Sequence, residues 1–207
     1  MEGALREGGG APGLRLIETL LWDGTVAVRG ELHAARMAGA AAALGWGFDA
    51  GRFAGLARGE PAAPARLRLT LDRDGDLAVE RGAVPARLAL WRVGLAAARL
   101  SSGDPWLRVK STRRAAYDAA RAALAPGLDE VVFLNERGEV CDGTITTLFF
   151  DRGQGLRTPP LSAGLLPGVL RAELAVPEEV LQAEDLARVK LWLGNSLRGL
   201  APAVWVG

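Results

Sequence analysis

Lysine is scarce among the basic residues of this sequence. The chain has 25 lysines and arginines in total, and only Lys110 and Lys190 are lysines. A lysine amine can lose its proton and condense with an aldehyde, whereas an arginine guanidinium stays protonated at any working pH. A lysine retained in a composition that favours arginine is therefore a candidate for chemistry on a carbonyl group. The alternative is a surface lysine retained by chance, and the counts alone leave both possibilities open.

Glycine-containing segments near the C-terminus could bind an anion. The segment 161–171 contains Gly164 and Gly168 and leads into a predicted helix at about Val169. Backbone N–H groups at a helix start, together with the positive end of the helix dipole, favour an anion. A second segment, Gly194-Asn195-Ser196, follows a predicted strand and offers a hydroxyl and an amide. Each segment alone is more typical of an ordinary turn than of an anion site.

These features together match the needs of pyridoxal phosphate. That cofactor requires a lysine for its aldehyde, hydrogen-bond donors for its phosphate and a carboxylate that keeps its pyridine nitrogen protonated. The protonated ring can then accept electrons from a bond that breaks beside it. The sequence has candidates for all three groups, although each is common by itself.

The composition argues against several other functions. His33 and Cys141 are the only histidine and the only cysteine, so neither a Cys/His zinc cluster nor a disulfide framework is expected. A Ser-His-Asp hydrolase would depend on His33, and no G-x-S-x-G motif accompanies it. The net charge is +1 with no lysine-rich tract, so we expect no nucleic-acid partner. We find no signal peptide and no run of about 18 apolar residues, and we therefore expect a soluble, cytoplasmic protein without membrane contact.

The apolar pattern predicts a small N-terminal domain over residues 1–100, followed by a linker at 101–105. Within it we expect a flexible leader over 1–13, a hairpin of 14–22 with Val26 and Val28, a helix over 31–44, a hairpin over 67–80 and a strand over 88–93. The linker has the composition Ser-Ser-Gly-Asp-Pro, which is typical of a connecting segment.

Residues 106–207 are predicted to form the larger C-terminal domain. Its expected helices cover 113–124 and 168–175, and its expected strands cover 130–135, 144–150, 189–193 and 203–206. These elements must position Lys110 and the two glycine-containing segments.

Several strings in the sequence resemble, in the same order, those of the class IV aminotransferases. They are Ile17-Glu18-Thr19-Leu20, His33-x-x-Arg36, Lys110-Ser111-Thr112-Arg113-Arg114, the segment 133–140 and the segment 164–171. The similarity covers nearly all of the chain from Leu16 onward. This family groups the fold-type IV pyridoxal-phosphate enzymes, which include branched-chain and D-amino-acid aminotransferases and aminodeoxychorismate lyase. The resemblance implies an α+β, two-domain fold with a small N-terminal α/β sandwich and a larger C-terminal, mixed α/β barrel-like domain.

The resemblance also implies roles for individual residues. Lys110 matches the Schiff-base lysine, which is catalytic because it also moves the proton at the substrate α carbon. Asp142 matches the acid that faces the pyridine nitrogen. The implied phosphate-binding groups are the guanidinium of Arg36, the backbone amides of Val169 and Leu170 and the hydroxyl of Ser196.

Three further residues have less specific interpretations. Lys190 matches no chemical position, and we expect it at a solvated strand end. Cys141 should alternate to the strand face opposite Asp142 and pack in the core. His33 precedes the phosphate-binding arginine on the predicted helix, and a packing role is favoured over catalysis.

The sequence departs from the family pattern in places. Asp142 is one methylene shorter than the usual glutamate, and Thr147 replaces the usual asparagine. Either the backbone moves inward, a water bridges the gap, or the ring is less firmly protonated. Ala115 stands where the branched-chain enzymes have a tyrosine, and the region before the first strand is short. The short region before the first strand weakens any assignment of substrate, and Ala115 weakens the branched-chain interpretation.

The string from Gly194 to Leu200 most resembles aminodeoxychorismate lyase. The first hypothesis is therefore a carbon–oxygen lyase that forms 4-aminobenzoate and pyruvate from a small amino-deoxy substrate. The alternatives are an amino-acid transaminase of the branched-chain or D-amino-acid type with a 2-oxo acid acceptor, and a non-catalytic relative that binds the cofactor or only a phosphate. The resemblance also implies a homodimer.

Overall fold

The computed structural model describes residues 2–207 and divides into two compact units. The N-terminal unit holds the described residues up to Ala86 together with Val109–Arg113. The C-terminal unit holds Arg87–Arg108 and Arg114–Gly207. None of the helices in this described part of the chain is long and apolar enough to span a membrane.

The N-terminal unit is a three-stranded antiparallel sheet covered by helices. Its elements are α1 (Glu2–Gly8), β1 (Leu16–Trp22), α2 (Gly30–Leu44), α3 (Ala50–Leu56), β2 (Ala65–Leu71) and β3 (Leu77–Gly82), with the strands in the order β1-β2-β3. Leu67, Leu69 and Leu71 of β2 alternate with more polar neighbours and are fully buried. This period of two places one face of the sheet against the helices.

Two predictions for this unit are confirmed in full and a third in a shortened form, and the expected leader contains a helix. The second hairpin forms as β2 and β3, and the helix forms as α2, ending at Gly45 with φ 74°. The first hairpin forms only in a short version. The N–H of Val28 donates to the carbonyl of Leu21 at 2.8 Å, and Trp22 and Ala27 form an antiparallel bridge, but Val26 and Val28 lie outside any named strand. The expected leader contains helix α1, whose Leu5 is buried. A single leucine in a glycine-rich stretch gives no apolar periodicity from which such a helix could be predicted.

The segment Val109–Arg113 returns to the N-terminal unit and lies along β1. The N–H of Ile17 donates to the carbonyl of Lys110 at 2.8 Å, and the N–H of Thr112 donates to the carbonyl of Arg15 at 2.8 Å. Leu16 and Ser111 form an antiparallel bridge between these two bonds. Lys110 is therefore held on the edge of β1 that β2 does not occupy.

The C-terminal unit is built on a six-stranded mixed sheet. Its elements are β4 (Trp91–Leu100), α4 (Ala115–Ala122), β5 (Glu130–Asn135), β6 (Val140–Gly143), β7 (Thr147–Asp151), α5 (Val169–Leu174), β8 (Lys190–Asn195) and β9 (Gly199–Trp205), with the strands in the order β6-β5-β4-β9-β8-β7. The two end strands are consecutive in sequence, and the N–H of Gly143 donates to the carbonyl of Thr146 at 2.8 Å. The sheet is thus nearly closed, which confirms the predicted barrel-like C-terminal domain, and the smaller N-terminal sheet is separate from it.

The observed division of the chain differs from the predicted boundary at 101–105. The strand expected to complete the N-terminal domain is β4, and it pairs in parallel with both β5 and β9 of the C-terminal sheet. The chain therefore changes unit at Ala86. Residues 101–105 lie inside the C-terminal unit, where the N–H of Ser102 donates to Glu136. Parallel pairing joins segments far apart in sequence, and local composition does not reveal it.

Candidate active site

The N-terminal unit buries a carboxylate between a histidine and an arginine. Glu18 on β1 is 1% exposed. His33 and Arg36 are three residues apart on α2 and therefore lie on one helix face. Arg36 donates from Nε to Oε1 at 2.8 Å and from Nη2 to Oε2 at 2.6 Å, and Nδ1 of His33 lies 2.5 Å from Oε2. We call these three residues the Glu18 cluster.

The charges in the Glu18 cluster oppose the effect of burial on the pKa of the carboxylate. Burial alone would raise the pKa of Glu18, but the adjacent Arg36 and the hydrogen bond from His33 hold it below its ordinary value of 4.5. Burial lowers the pKa of His33 below 6.5, and the charges of Arg36 and Lys110 lower it further against the pull of Glu18. Lys110 is therefore near enough to the cluster for its charge to act there.

These shifts predict how stability depends on pH. The unfolded chain takes up a proton at His33 as the pH falls through about 6.5, whereas the folded chain takes it up only at a lower pH. The free energy of unfolding therefore decreases as the pH falls below about 6.5. Glu18 adds a further loss below about 4.5, where the unfolded carboxyl becomes protonated first. Thermal melting measured from about pH 4 to pH 8 should show both losses. In His33→Asn the loss between about pH 5 and 6.5 should disappear, and an unchanged profile would contradict the assignment.

The C-terminal unit places Asp142 near the end of β6, where it is 6% exposed. The residues that follow it form a loop instead of the start of the strand predicted over 144–150, because a second buried carboxylate takes up their hydrogen bonds. Glu130 on β5 is fully buried. Its two oxygens accept from the backbone N–H and hydroxyl of Thr144, the N–H of Ile145 and the hydroxyl of Thr146, at 2.5–3.2 Å.

Two side chains hold the same loop from outside. Asn195 at the end of β8 donates from Nδ2 to the carbonyl of Ile145 at 3.0 Å, and Nη2 of Arg114 donates to the carbonyl of Thr144 at 2.9 Å. Asn195 also accepts from the N–H groups of Leu197 and Arg198, which shapes the turn between β8 and β9. The loop after Asp142 and the turn that carries Ser196 are therefore fastened to each other.

The start of helix α5 packs closely on the neighbouring strands. A Cβ at Gly168 would lie 2.6 Å from Oγ1 of Thr147, and a Cβ at Gly194 would lie 2.7 Å from Cδ2 of Leu170. A side chain at either position would force these neighbours to move, and at Gly194 it would also lie 2.7 Å from the carbonyl oxygen of Gly199. Gly168 supplies no side-chain cap, and the first N–H groups of any helix lack an acceptor within the helix. The α5 start thus lies beside the β8–β9 turn and offers donors there.

The structure brings the predicted site residues together in two groups. Lys110 and Arg36 both belong to the N-terminal unit, where the charge of each acts on His33. The group in the C-terminal unit comprises Asp142, Val169, Leu170 and Ser196, all of them buried. Thr147, which replaces the family's asparagine, pairs with Gly194 across β7 and β8 and packs against Gly168.

The residues with less specific interpretations lie where we expected them. Cys141 is 1% exposed, and burial, followed by the charge of Asp142, raises the pKa of its thiol to about 12. The thiol is therefore neutral and packs in the core. Lys190 is exposed at the start of β8, and His33 is buried.

The sequence interpretation missed two buried acids. Glu18 belongs to a family string and Glu130 begins a predicted strand, but the sequence analysis predicts no role for either side chain. Both acids adjoin apolar residues: Glu18 follows Ile17, and Glu130 precedes the apolar run from Val131 to Leu134. A carboxylate in a buried strand must be paired, so this pattern was the signal available for both.

Comparison with known proteins follows this geometry. The sequence model described as Amino-transferase class IV matches residues 15–205. Comparison with curated protein sequences gives no match.

Solved structures of similar fold include enzymes of more than one activity. A Mesorhizobium loti protein assigned by name as an amino-acid aminotransferase is 43% identical, with a TM-score of 0.86 over 93% of this chain and 100% of that one. The 4-amino-4-deoxychorismate lyase of Pseudomonas aeruginosa is 22% identical, with a TM-score of 0.76 over 92% of this chain and 82% of that one. A hypothetical aminotransferase of Mycobacterium tuberculosis in its PLP-bound form is 23% identical, with a TM-score of 0.78 over 93% and 81%. At these lower identities the likeness concerns the fold alone.

Proposed function

Because the chain belongs to the amino-transferase class IV family, whose enzymes depend on pyridoxal phosphate, we propose that it binds this cofactor and acts on a small amine-bearing substrate. The observation that carries the proposal is the placement of Lys110 beside the Glu18 cluster, where one structural unit offers both an amine and a guanidinium. We further propose that the active protein is a homodimer, as the family resemblance implies.

The residues present fit the cofactor. We assign its aldehyde to Lys110 and its pyridine nitrogen to the buried carboxylate of Asp142. We assign its phosphate to Arg36, the backbone amides of Val169 and Leu170, and Ser196. The close packing at Gly168 and Gly194 supports this, because it lets the start of α5 approach the end of β8, which leads into the turn bearing Ser196. When bound, pyridoxal phosphate would supply an electron-accepting ring that stabilises negative charge at the substrate α carbon.

Each protein group then has a defined task. The amine of Lys110 would hold the aldehyde of the cofactor and would also take and return the proton at the substrate α carbon. Asp142 would hold a proton on the ring nitrogen, and its burial strengthens that charge interaction. Arg36 and the α5 amides would fix the phosphate, so that the ring stays oriented while the lysine moves a proton.

For the reaction, we propose aminodeoxychorismate lyase activity, in which a carbon–oxygen bond breaks to release pyruvate and leave 4-aminobenzoate. The turn from Gly194 to Leu200 supports it, because this string resembles the lyases and is fastened through Asn195 to the loop after Asp142. An amino-acid transaminase is the second candidate, and the 43% identity to the Mesorhizobium loti protein favours it.

A two-part assay separates these activities. A lyase releases pyruvate from aminodeoxychorismate with no acceptor present. A transaminase shows a change in cofactor absorption when an amino acid is added, and it requires a 2-oxo acid to turn over again. Purified protein that shows neither pyruvate release nor a substrate-dependent spectral change would overturn the proposed catalysis and leave a cofactor-binding relative.

A further inference from the structure

The Glu18 cluster has an arrangement that a simple buried ion pair does not need. A guanidinium has five N–H donors in one plane. Arg36 directs its Nε side toward Glu18 through two bonds of 2.8 and 2.6 Å, one to each carboxylate oxygen. Such a paired contact fixes the plane of the guanidinium as well as its position. The donors on its other edge consequently point away from Glu18 in a defined direction.

His33 completes the support of the carboxylate. Its Nδ1 lies 2.5 Å from the same Oε2 atom that accepts from Arg36, and its ring is 1% exposed. Because burial favours the neutral ring, Nδ1 donates its hydrogen to the carboxylate and adds no positive charge. Glu18 is thus held by His33 and Arg36, both on α2. Its carboxylate cannot turn away from Arg36 without losing a buried hydrogen bond.

A buried carboxylate beside an arginine is not explained by stability alone. Removing both charges from water costs free energy that their attraction only partly returns, so apolar residues in such places are often as stable. A long arginine side chain also has many rotamers, and binding an anion with it costs conformational entropy unless it is already ordered. Glu18 orders Arg36 before any ligand arrives.

We propose that Glu18, supported by His33, is a positioning residue that orients Arg36 for the phosphate of the cofactor. This inference rests on the proposed function, because it takes Arg36 as a phosphate-binding group. Glu18 itself has no contact with the phosphate, since two negative groups repel each other. Its effect is confined to ligands that carry the phosphate.

The test compares two ligands that differ only in that group. Cofactor-free protein is titrated with pyridoxal phosphate and with pyridoxal, both followed by visible absorption. By analogy with residues that orient metal ligands, where replacement costs about 10–100-fold in affinity, Glu18→Gln should raise the Kd for pyridoxal phosphate by about tenfold or more. The Kd for pyridoxal should change by less than about twofold, because Lys110 still reacts with its aldehyde.

Two further variants test the length of the side chain at position 18 and the effect of losing a surface carboxylate. Glu18→Asp retains the charge but shortens the side chain, so it should also lose preference for the phosphorylated ligand, and it serves if Glu18→Gln does not fold. Glu179→Gln replaces a carboxylate that is 40% exposed and paired with Arg152, and it should leave both Kd values unchanged. Melting temperatures establish that each variant is folded.

The outcomes distinguish the two proposals. If the wild type does not prefer pyridoxal phosphate to pyridoxal, or if Arg36→Ala keeps that preference, the assigned phosphate site is wrong. If Arg36→Ala loses the preference but both folded Glu18 variants keep it, Glu18 only stabilises the fold and the present inference is overturned. Equal weakening of both ligands in the Glu18 variants would overturn it as well.

Discussion

Replacing Lys110 by alanine is expected to abolish both turnover and the visible absorption band of the lysine-bound cofactor. This side chain provides the amine that reacts with the aldehyde and the base that moves the α proton, and no second lysine can substitute, because Lys190 is exposed at the start of β8. Loss of a positioned acid–base group alone costs up to about 10⁴-fold, and here covalent binding is lost as well, so we expect a fall of at least about 10⁴-fold.

Lys190→Ala is the matched control for this prediction. It removes the only other lysine, and both the absorption band and the activity should match the wild type. Spectra of the two variants with added pyridoxal phosphate, recorded beside assays for both candidate reactions, provide the measurement. A lysine-dependent band that persists in Lys110→Ala, or its loss in Lys190→Ala, would show that the lysine has been misassigned.

Glu130→Ala is expected to cause a large loss of stability, in spite of its distance in sequence from the loop it supports. The substitution removes the acceptor for the N–H groups of Thr144 and Ile145 and for two hydroxyls, and these donors are then left without a partner in the interior. Removing one side of a buried charged network typically costs about 3–5 kcal/mol. For a chain of this size, about 3 kcal/mol corresponds to a decrease of about 10 °C in Tm.

Two variants show whether the loss arises from these hydrogen bonds. Glu130→Gln keeps the shape and one acceptor oxygen, so its decrease in Tm should be clearly smaller than that of Glu130→Ala. Glu179→Ala removes an exposed carboxylate from a surface ion pair, which is worth about 1 kcal/mol or less. If Glu130→Ala melts within about 2 °C of the wild type, the loop after Asp142 is held by other contacts.

Local signals in the sequence predicted much of the secondary structure. The period of two in Leu67, Leu69 and Leu71 identified β2, and the glycine after Leu44 identified the end of α2. Both signals act over a few residues, which is the range that sequence patterns report reliably. The family strings added the remote combination of Lys110 with Arg36, which no local pattern contains.

Pairings between distant segments were not predictable in the same way. The turn signal at Asp23-Gly24 predicted the reversal of the chain, which bonds back to β1 through Val28 and Leu21, but it did not predict that β1 pairs along its whole length with β2. The Ser-Gly-Pro composition of 101–105 indicated a linker between domains, but it is a surface turn after β4. The pairings of β1 with β2 and of β4 with β5 and β9 join segments far apart in sequence, and local composition carries no signal for them.

The return of Val109–Arg113 to β1 makes the N-terminal unit dependent on a portion of chain synthesised later. A fragment ending at Ala86 would lack that short partner and would leave the N–H of Ile17 and the carbonyl of Arg15 unpaired at the start of β1. Open edges of this kind recruit strands from other molecules, so such a fragment would tend to self-associate. The residue proposed for covalent chemistry thus also belongs to the segment that shields this edge, and selection for one property constrains the other.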